Sequence, residues 1–306
     1  MGLPERQIRP PRIMNLQRSI PVAEQPGKGR KDRVWFITGC STGFGAALAQ
    51  EVLSRGERAV VTSRKQEATQ SIVRSFPDQA IAFALDVTQP AVVNQVVRQA
   101  LDKAGHIDVL VNNAGYGVVG AVEEVSDAEG RQVFETNVMG LLHVTRAVLP
   151  HFRERKQGHI INMSSMTGLF APPGFGFYSG TKFAVEGLTE ALASEVKPLG
   201  VRVTLVEPGP FRTNFRGGLV MAKKVINDYD PVVGPVRKSM SEPGGKQPGD
   251  PERAAKLIVD VVNAANPPLR LPMGDIAVQQ IRNKLAAVER EIREWETAIR
   301  ATNFPS

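Results

Sequence analysis

The chain has 306 residues, of which 42% are hydrophobic and 23% are charged, a balance typical of a globular protein with a well-filled core. No apolar stretch approaches the ~20 residues that cross a bilayer, and the first residues lack the apolar centre of a secretory signal, so we expect no membrane partner. Cys40 is the single cysteine, which excludes an internal disulfide and leads us to expect a cytoplasmic location.

The net charge of +7 is concentrated at the amino terminus. Residues 1–33 hold eight basic and three acidic side chains, which places +5 there and leaves about +2 for the rest of the chain. We therefore predict that residues 1–32 form a disordered basic tail. Such a tail could instead be an arm that binds nucleic acid, but the nearly neutral body argues against a nucleic-acid partner.

From residue 34 onward, short apolar segments alternate with segments of helical periodicity. Strands are predicted at VWFIT, RAVVTS, AIAFALDV, IDVLVNNAG, GHIINMSS and VRVTLVEPG, which are residues 34–38, 58–63, 80–87, 107–115, 158–165 and 201–209. Helices are predicted at residues 44–56, in a segment that ends near residue 75, and at residues 91–105, 128–155, 178–197 and 250–265. Strands this apolar must be buried on both sides, so the alternation predicts a parallel sheet covered by helices on both faces.

We accordingly predict a doubly wound, Rossmann-like α/β fold in one domain, residues 33–306, with a C-terminal helical extension. Residues 210–250, rich in Gly, Pro and Lys, are predicted to be a mobile lid over the substrate, and residues 269–274 to add an edge strand. The last helix, residues 275–301, carries an apolar stripe that we expect to dock on the body, with self-association as the alternative. The stripe consists of Ile281, Leu285, Val288, Ile292, Trp295 and Ile299.

A glycine-rich turn joins the first predicted strand to the first predicted helix. It reads TGCSTGFG over residues 38–45 and lies where such folds bind the pyrophosphate of a dinucleotide. The amino terminus of the helix offers free N–H groups and a partial positive charge to an anion. Gly39, Gly43 and Gly45 remove side chains that would obstruct the turn, the ligand or the helix packing. A glycine motif alone is a weak signal, but strand, turn and helix all fall where this motif requires them.

The spacing T-G-x-x-x-G-x-G and several further motifs resemble the short-chain dehydrogenase/reductase family over about residues 33–270. NNAG at 112–115 is similar to the family's segment after the fourth strand, and PGPFRT at 208–213 to its loop over the nicotinamide, where Thr213 is implied to hold the carboxamide. Asp86 and Val87 match the pair that contacts the adenine. The candidate cofactor-binding residues are Thr38, Gly39, Ser41, Gly43, Phe44, Gly45, Ser63, Arg64, Asp86, Val87, Asn113, Ala114, Gly115, Lys182, Pro208, Gly209, Phe211 and Thr213.

The end of the second strand predicts which dinucleotide binds. An acidic residue about 20 residues beyond the glycines binds the ribose of NAD, whereas an arginine accommodates the 2′-phosphate of NADP. In the segment VTSRK, Ser63 takes the place of the acid and Arg64 follows it. A guanidinium can hold a phosphate through two charge-assisted hydrogen bonds, and Lys65 can add positive charge. A solvated basic turn is the alternative; the missing acid leads us to predict NADP(H).

The segment YSGTK places Tyr178 four residues before Lys182. One interpretation is an ordinary polar pair on an exposed helix surface. The other is catalytic: a phenol has a pKa of about 10, and a neighbouring ammonium together with an oxidised nicotinamide would favour the phenolate. By resemblance to the family, Tyr178 is the general acid and base, and Lys182 also hydrogen-bonds the nicotinamide ribose.

Asn137 and Ser165 complete the tetrad that the resemblance implies. Ser165 precedes Tyr178 by 13 residues, as in the family, and its hydroxyl would hydrogen-bond the substrate oxygen; Ser164 is the competing candidate. Asn137 is implied to hold a water that links Lys182 to solvent, with an ordinary polar residue in a helix as the alternative.

No metal site is expected, because the four histidines are scattered and lack both a carboxylate partner and the spacing of zinc ligands. They are His106, His143, His151 and His159. The glycine turn also lacks the lysine of a nucleoside triphosphate site. Cys40 is expected to pack as a small apolar residue.

The sequence therefore predicts an NADP(H)-dependent oxidoreductase that interconverts an alcohol and a carbonyl by hydride transfer. The alternative is a non-catalytic NADP(H)-binding sensor or regulatory protein, which would need neither Tyr178 nor Lys182. We expect a small, partly apolar substrate and, as is common in the family, a homo-dimer or homo-tetramer. The predicted substrate-lining residues are Phe211, Phe215, Leu219, Val220 and Met221.

Overall fold

The computed structural model describes residues 32–304. The predictions for a basic tail at residues 1–32 therefore lie outside the described residues, apart from the last position of that segment. Among the helices formed by the described residues, none combines the length and the apolar character that a bilayer crossing demands.

The predicted parallel sheet is confirmed. Its seven strands lie in the order β3-β2-β1-β4-β6-β7-β9, and every neighbouring pair is parallel. A second, two-stranded sheet pairs β5 with β8. The strands are β1 (Val34–Ile37), β2 (Arg58–Ser63), β3 (Ala80–Ala84), β4 (Val109–Asn112), β5 (Val118–Val119), β6 (Gly158–Met163), β7 (Val201–Pro208), β8 (Val220–Met221) and β9 (Arg270–Met273).

The strand order reverses between β1 and β4. After β1 the chain builds outward through β2 and β3, then returns to the other side of β1 and builds outward through β4, β6, β7 and β9. In such a sheet a crevice opens at the carboxyl ends of the strands on either side of the reversal. The edge strand predicted at residues 269–274 is β9, which pairs with β7.

Helices cover both faces of the sheet. They are α1 (Gly43–Ser54), α2 (Gln70–Ser75), α3 (Pro90–Ala104), α4 (Asp127–Phe134), α5 (Gly140–Arg155), α6 (Gly176–Val196), α7 (Asp230–Ser241), α8 (Pro251–Asn263) and α9 (Asp275–Arg300). The helix predicted to end near residue 75 is shorter than expected and follows a 3₁₀ turn, Gln66–Thr69. α7 was not predicted.

The core consists of two apolar layers, one on each side of the sheet. Ile37 and Val111 face the layer that includes α1 and α8, whereas their chain neighbours Phe36 and Leu110 face the layer that includes α3, α5 and α6. All four side chains are fully buried. Successive side chains of a strand point to opposite faces, so a strand between two helical layers must be apolar at every position. Burying each such side chain stabilises the fold by ~1.5–3 kcal/mol.

The segment at residues 210–250, predicted to be mobile, contains regular structure. Besides β8 and α7 it forms two 3₁₀ turns, Arg216–Gly218 and Asn227–Tyr229. It is attached to the body through Glu124, a buried residue whose carboxylate accepts hydrogen bonds from the Arg237 guanidinium of α7 and from the backbone N–H of Ile226. Burial raises the pKa of Glu124, but these bonds and one from the Ala121 N–H outweigh it and leave that pKa below its ordinary value.

Arg237→Ala is expected to lower the free energy of unfolding by about 1–3 kcal/mol at neutral pH, because it leaves the buried Glu124 carboxylate without its cation. Urea unfolding over a range of pH measures the effect. A carboxyl with a lowered folded-state pKa contributes stability above its ordinary pKa of 4.5 and loses that contribution as the pH falls through the lowered value. The difference in the free energy of unfolding between wild type and Arg237→Ala should therefore become smaller in acid.

Arg253→Ala is the matched control for this prediction. Arg253 pairs with Asp250 at 3.6 Å, but the two side chains are 87% and 48% exposed, and an exposed ion pair contributes at most about 1 kcal/mol. Equal losses of stability in the two variants, or a difference for Arg237→Ala that persists in acid, would contradict the anchoring role of Glu124.

The apolar stripe of α9 does not dock on the body as predicted. Its first member, Ile281, is buried, but Leu285 and Trp295 are 60% and 66% exposed. The prediction is therefore wrong for most of the stripe. A helix of 26 residues is about 39 Å long. Within residues 32–304, the main contacts of α9 with the body are near β9 and the 3₁₀ turn Met166–Gly168.

Candidate active site

A cavity of about 1100 Å³ opens at the carboxyl ends of the strands on both sides of the reversal. Its volume is slightly above the range of roughly 300–1,000 Å³ for small-molecule and cofactor sites. Of the predicted cofactor-binding and catalytic residues, three do not line it: Thr38, Gly45 and Asn137. The predicted residues that do line it are Gly39, Ser41, Gly43, Phe44, Ser63, Arg64, Asp86, Val87, Asn113, Ala114, Gly115, Ser165, Tyr178, Lys182, Pro208, Gly209, Phe211 and Thr213.

The glycine turn between β1 and α1 forms one wall of the cavity. Gly39 and Gly43 have φ angles of +73° and +63°, a conformation that is strained for residues with a Cβ atom. Gly45 serves packing instead: a Cβ atom there would lie 2.3 Å from the Gly39 carbonyl oxygen. The first turn of α1 thus packs directly against the glycine turn, with its free N–H groups at the cavity. These features fit a dinucleotide pyrophosphate.

Gly45→Ala is expected to lower the free energy of unfolding by about 1–3 kcal/mol and to weaken dinucleotide binding, because the added methyl group forces the turn to shift. Urea unfolding and a fluorescence titration with NADPH measure the two effects. Gly187→Ala is the control, since its added methyl group meets nothing within 4 Å. The substitution also replaces a glycine inside a helix, so the free energy of unfolding should rise by up to about 1 kcal/mol. Unchanged unfolding and binding in Gly45→Ala would show that the turn tolerates the shift.

Thr38 and Asn113 hold the glycine turn in place. The Thr38 hydroxyl accepts hydrogen bonds from the backbone N–H groups of Asn113 and Ala114, at 2.9 and 3.0 Å. The Asn113 side-chain amide donates to the carbonyl oxygens of Thr38 and Gly39, at 2.8 and 3.0 Å. Thr38 is buried behind the turn, so its contribution is to connect the ends of β1 and β4.

The end of the cavity beyond β2 carries Ser63, Arg64 and Asp86. The Ser63 hydroxyl donates a hydrogen bond to the carbonyl oxygen of Lys65 and thereby closes the turn that presents Arg64. The Asp86 carboxylate accepts hydrogen bonds from the N–H and the hydroxyl of Thr88, which fix it after β3. Arg64 is exposed and, within residues 32–304, forms no ion pair, so its guanidinium is available to an anion in the cavity.

Tyr178 and Lys182 lie in the first half of α6, which buries both side chains against the end of the sheet. The interpretation of an exposed polar pair is therefore wrong. The Lys182 ammonium donates a hydrogen bond to the carbonyl oxygen of Met163, at 2.7 Å, where β6 ends. Its nitrogen lies 5.7 Å from the centre of the Tyr178 ring. The spacing of four residues places both groups on one side of the helix, and that side faces the cavity.

The environment that the chain itself provides raises the pKa of the Tyr178 phenol, whereas the expected lowering also counts on the positive charge of an oxidised nicotinamide. Burial raises this pKa to about 12, with a smaller opposing effect from the Ser165 hydroxyl. Burial also lowers the pKa of the Lys182 ammonium to about 8, opposed by the negative charge of Glu186. A buried site disfavours the charged form of either group, and the sequence pattern does not reveal how deeply the two are buried.

The two serines after β6 have different neighbours. Ser165 lies close enough to Tyr178 to lower the pKa of its phenol, and its hydroxyl accepts hydrogen bonds from the N–H and hydroxyl of Thr167, at 3.1 and 3.0 Å. Ser164 lies beside Glu186, whose pKa it lowers. The geometry thus associates Ser165 with the phenol and Ser164 with a buried carboxyl.

The loop after β7 covers the glycine turn. Phe211 packs against Phe44, with 5.0 Å between ring centres, which places its ring beside the glycine turn. A Cβ atom on Gly43 would lie 3.4 Å from the Thr213 side chain, which places Thr213 directly above the turn. Pro208 and Gly209 line the same part of the cavity.

Comparison with known proteins identifies the family. The sequence model of the short chain dehydrogenase family matches residues 33–223, which is more than half of the chain. The chain belongs to this family. It is 35% identical, over 86% of its length and 96% of the relative's, to oxidoreductase BOA17 of Botryotinia fuckeliana. The family is one of oxidoreductases, as the sequence motifs predicted.

Solved structures of the family share this fold. A short-chain dehydrogenase from Streptomyces avermitilis is 41% identical, with a TM-score of 0.84 over 89% of this chain and 100% of that one. A short chain dehydrogenase/reductase from Burkholderia phymatum, solved in complex with NAD, is 25% identical, with a TM-score of 0.74 over 85% of this chain and 95% of that one.

Both polar atoms of the Asn137 side chain are hydrogen-bonded. Its oxygen accepts from the Tyr116 N–H at 3.0 Å, and its nitrogen donates to the Tyr116 carbonyl at 2.8 Å and to the Thr181 hydroxyl at 3.1 Å. It lies in a π-helical turn, Glu135–Met139, that divides the helix predicted at residues 128–155. These contacts give no support to a water held by this side chain beside Lys182. They fix instead the backbone of Tyr116, a residue of the cavity wall.

Two aromatic rings lie next to the ring of Tyr178. Phe215 was predicted to line the substrate site, and its ring centre lies 5.5 Å from that of Tyr178. Phe175 lies at 6.2 Å and was not predicted, although it precedes the tyrosine in the run GFGFY. Of the other predicted substrate-lining residues, Val220 lines the cavity, whereas Leu219 and Met221 do not.

Within residues 32–304, no group of three or more His, Cys, Asp or Glu side chains is placed to hold a metal ion. Cys40 is fully buried next to the glycine turn, and burial raises the pKa of its thiol to about 12. It packs as a small apolar residue among the side chains of α1 and its neighbouring strands.

Proposed function

We propose that this dehydrogenase is an NADP(H)-dependent oxidoreductase that interconverts an alcohol and a carbonyl through Tyr178, Lys182, Ser165 and Asn137. One observation supports the proposal above the others: a phenol and an ammonium from α6 and a hydroxyl from the end of β6 line the same cavity as the glycine turn. A protein that only sensed a dinucleotide would have no chemical use for a buried phenol at this place.

The proposed chemistry assigns a role to each side chain. When bound, the nicotinamide cofactor supplies a hydride to a carbonyl or accepts one from an alcohol. The Ser165 hydroxyl donates a hydrogen bond to the substrate oxygen, where negative charge develops. The Tyr178 hydroxyl gives its proton to that oxygen in reduction and takes it back in oxidation. Because burial raises the pKa of Tyr178 to about 12, the phenol is mostly protonated at neutral pH, which suits reduction.

Lys182 and Asn137 support the phenol in this proposal. The Lys182 ammonium, bonded to the Met163 carbonyl, is placed to hydrogen-bond a ribose and to stabilise negative charge on Tyr178 when the phenol has lost its proton. Asn137 acts indirectly, through its hydrogen bonds to the backbone of Tyr116.

The proposed preference for NADP(H) rests on Ser63 and Arg64. No carboxylate stands at the end of β2, where the 2′-hydroxyl of NAD would need an acceptor, and the Arg64 guanidinium lines that end of the cavity. A 2′-phosphate would meet a bidentate cation there, and the Asp86 carboxylate at the same end of the cavity is already hydrogen-bonded to Thr88. The Burkholderia phymatum relative was solved with NAD, so the preference belongs to these two positions and not to the family.

The proposed substrate is a carbonyl compound, or the corresponding alcohol, with an apolar portion. Phe175 and Phe215 flank the Tyr178 ring, and Val220 and Met166 line the same part of the cavity. The lid at residues 210–250 lies over this side. An apolar substrate would be stabilised by burying its surface against these rings.

We further propose a cytoplasmic homo-dimer or homo-tetramer formed through α5 and α6. Phe183 and Leu188 support this proposal, because both are large apolar side chains that remain more than 40% exposed on α6. Size-exclusion chromatography with light scattering tests the oligomeric state, and a monomer at micromolar concentration would contradict the proposal.

The function is tested by incubating the full chain with NADPH and, separately, NADH in the presence of a panel of ketones and aldehydes of increasing apolar length. Loss of NADPH absorbance that depends on the carbonyl is the expected result, with kcat/KM rising with the apolar length of the substrate. Tight binding of NADPH without turnover on any member of the panel would instead indicate a sensor.

A further inference from the structure

The helix that carries Tyr178 and Lys182 continues the same row of ionisable side chains. Glu186 and Glu190 follow at the same spacing of four residues, so all four groups share one face of α6. The first three are buried, whereas the Glu190 side chain is 60% exposed. The row therefore runs from the cavity, where the phenol lies, to the surface of the protein.

A second buried carboxyl lies behind this row. Glu207, in β7, is fully buried, and neither of its carboxyl oxygens has a hydrogen-bond partner. One oxygen of Glu186 also lacks a partner. Arg270, in β9, faces both groups: its Nε atom lies 3.1 Å from a Glu186 oxygen and 3.6 Å from a Glu207 oxygen, and its Nη2 atom pairs with Glu190.

The side chain of Glu186 is held in this position by packing. A Cβ atom on Gly168 would lie 3.0 Å from the Glu186 Cγ atom and 2.7 Å from the Ser164 hydroxyl, so the 3₁₀ turn after β6 approaches both side chains closely. Two further ionisable groups lie close enough to the Glu186–Glu207 pair to act on it electrostatically: Arg270, from β9, and Glu190, from α6. Lys182 lies one turn from Glu186 on the same helix.

The charges of this cluster do not balance if every carboxyl is ionised. Glu186, Glu190 and Glu207 share the Arg270 guanidinium, and two of these carboxyls are buried, where an unpaired charge is costly. Burial and the nearby Glu186 raise the pKa of Glu207 to about 8, against an opposing effect of Arg270. The pKa of Glu186 is also raised by burial, but Ser164 and Arg270 oppose the rise. Arg270 lies closer to Glu186, at 3.1 Å, than to Glu207, at 3.6 Å, and only Glu207 has both oxygens without a hydrogen-bond partner. An ionised carboxylate is therefore better stabilised at Glu186, and the proton is better placed on Glu207.

We infer that Glu186 is a positioning residue for the reaction proposed above, whose carboxylate keeps the buried Lys182 ammonium charged, while Glu207 stays neutral behind it. This inference rests on the proposed function only for its catalytic consequence. The charge of Lys182 is needed to stabilise Tyr178 after the phenol has lost its proton, and burial alone would favour a neutral amine.

Glu186→Gln is expected to shift the titration of Lys182 downward by about one unit, because the attraction of the carboxylate is lost. The readout is an NMR titration of the full chain labelled with ¹³C-lysine, in which the Lys182 signal is assigned by its absence in Lys182→Arg. Glu190→Gln is the control: it removes a carboxylate that also pairs with Arg270, but one turn further from Lys182, and should leave the titration in place. Glu186→Asp keeps the charge and should restore most of the wild-type value.

The neutral state of Glu207 has its own test in the stability of Glu207→Gln. A carboxyl whose folded-state pKa is raised contributes stability that is fully present below its ordinary pKa of 4.5 and is lost as the pH rises towards the raised value. The amide side chain of Glu207→Gln does not ionise, so the variant does not lose stability in this way as the pH rises. The Tm of Glu207→Gln relative to wild type should therefore rise between about pH 5 and pH 8, whereas an ionised Glu207 paired with Arg270 would give a variant that becomes less stable over that range.

Failure of the inference and failure of the proposed function are separate outcomes. An unchanged Lys182 titration in Glu186→Gln, or an equal shift in Glu190→Gln, would overturn the inference whether or not the enzyme turns over. If carbonyls are reduced, the alkaline limb of kcat/KM should move to lower pH by about one unit in Glu186→Gln, which is about tenfold in rate beyond the limb. A shifted titration in a chain that reduces no carbonyl would reject the proposed function alone.

Discussion

Tyr178→Phe is expected to reduce turnover by about 10²–10⁴-fold, because it removes the hydroxyl that exchanges a proton with the substrate oxygen. The dissociation constant for NADPH should change little. The phenylalanine ring keeps the packing that Tyr178 makes with Phe175 and Phe215, so the wall of the cavity is preserved. Steady-state rates of NADPH oxidation with the best carbonyl of the panel, and a fluorescence titration of NADPH, measure the two quantities.

Tyr229→Phe is the matched control for this prediction. The Tyr229 hydroxyl donates a hydrogen bond to Glu123 at the surface of the lid, outside the cavity, so its loss should leave turnover near the wild-type rate. Ser165→Ala should reduce turnover in the same direction as Tyr178→Phe. Normal turnover in Tyr178→Phe would show that another group supplies the proton. A collapse of NADPH binding in that variant would show that the hydroxyl holds the cofactor, so that the loss of turnover would not report proton transfer.

The second large effect is expected at the other end of the cavity. Arg64→Asp should weaken NADPH binding by about 10–100-fold, since a hydrogen bond to a charged group contributes about 1.5–3 kcal/mol and each 1.4 kcal/mol is about tenfold in affinity. Repulsion between the new carboxylate and the 2′-phosphate adds to this loss. NADH binding should fall less than about threefold, or improve, because a carboxylate can accept a hydrogen bond from a 2′-hydroxyl. Calorimetric titration with both dinucleotides measures the change of preference.

Arg98→Asp makes the same change of charge on the exposed face of α3, away from the cavity. It should weaken NADPH binding only slightly, and less so at high salt, where long-range electrostatic effects are screened. Equal losses of NADPH and NADH binding in Arg64→Asp would mean that Arg64 contacts a part common to both dinucleotides, and the preference for NADP(H) would have to be assigned elsewhere.

The sheet and the cofactor end of the site could be predicted because they depend on local patterns. A run such as VWFI is apolar at every position because each residue faces one of two helical layers, and this pattern is visible without coordinates. The glycine turn is equally local: Gly39 and Gly43 need their positive φ angles within a few residues of the strand that precedes them. Tyr178 and Lys182 share a helix, so their spacing alone places them side by side.

The substrate end was predicted only in part. Phe215 and Phe175 both contact the Tyr178 ring, but their packing depends on how the lid folds back over α6. The lid includes a strand that pairs with residues about a hundred positions earlier in the chain, Val118–Val119 with Val220–Met221. Such a pairing leaves no periodic signal in a segment of two residues.

The sequence also did not predict which ionisable groups are buried. The pattern places an ammonium near Tyr178, which favours the phenolate, but it does not show that burial in the folded chain raises the pKa of that phenol. Glu207 lies in the apolar run VRVTLVEPG, and its protonation state there depends on Arg270, 63 residues further along the chain.

The sequence by itself determined the parallel sheet, the place of the glycine turn, and most of the residues that line the cavity beside that turn, because each follows from residues within one or two turns of chain. The tertiary structure alone decided which ionisable groups are buried, which aromatic rings surround Tyr178, and that the apolar stripe of α9 remains largely exposed. The physical reason is that burial is the sum of contributions from elements distant in the chain, and a one-dimensional pattern does not state which of them come together.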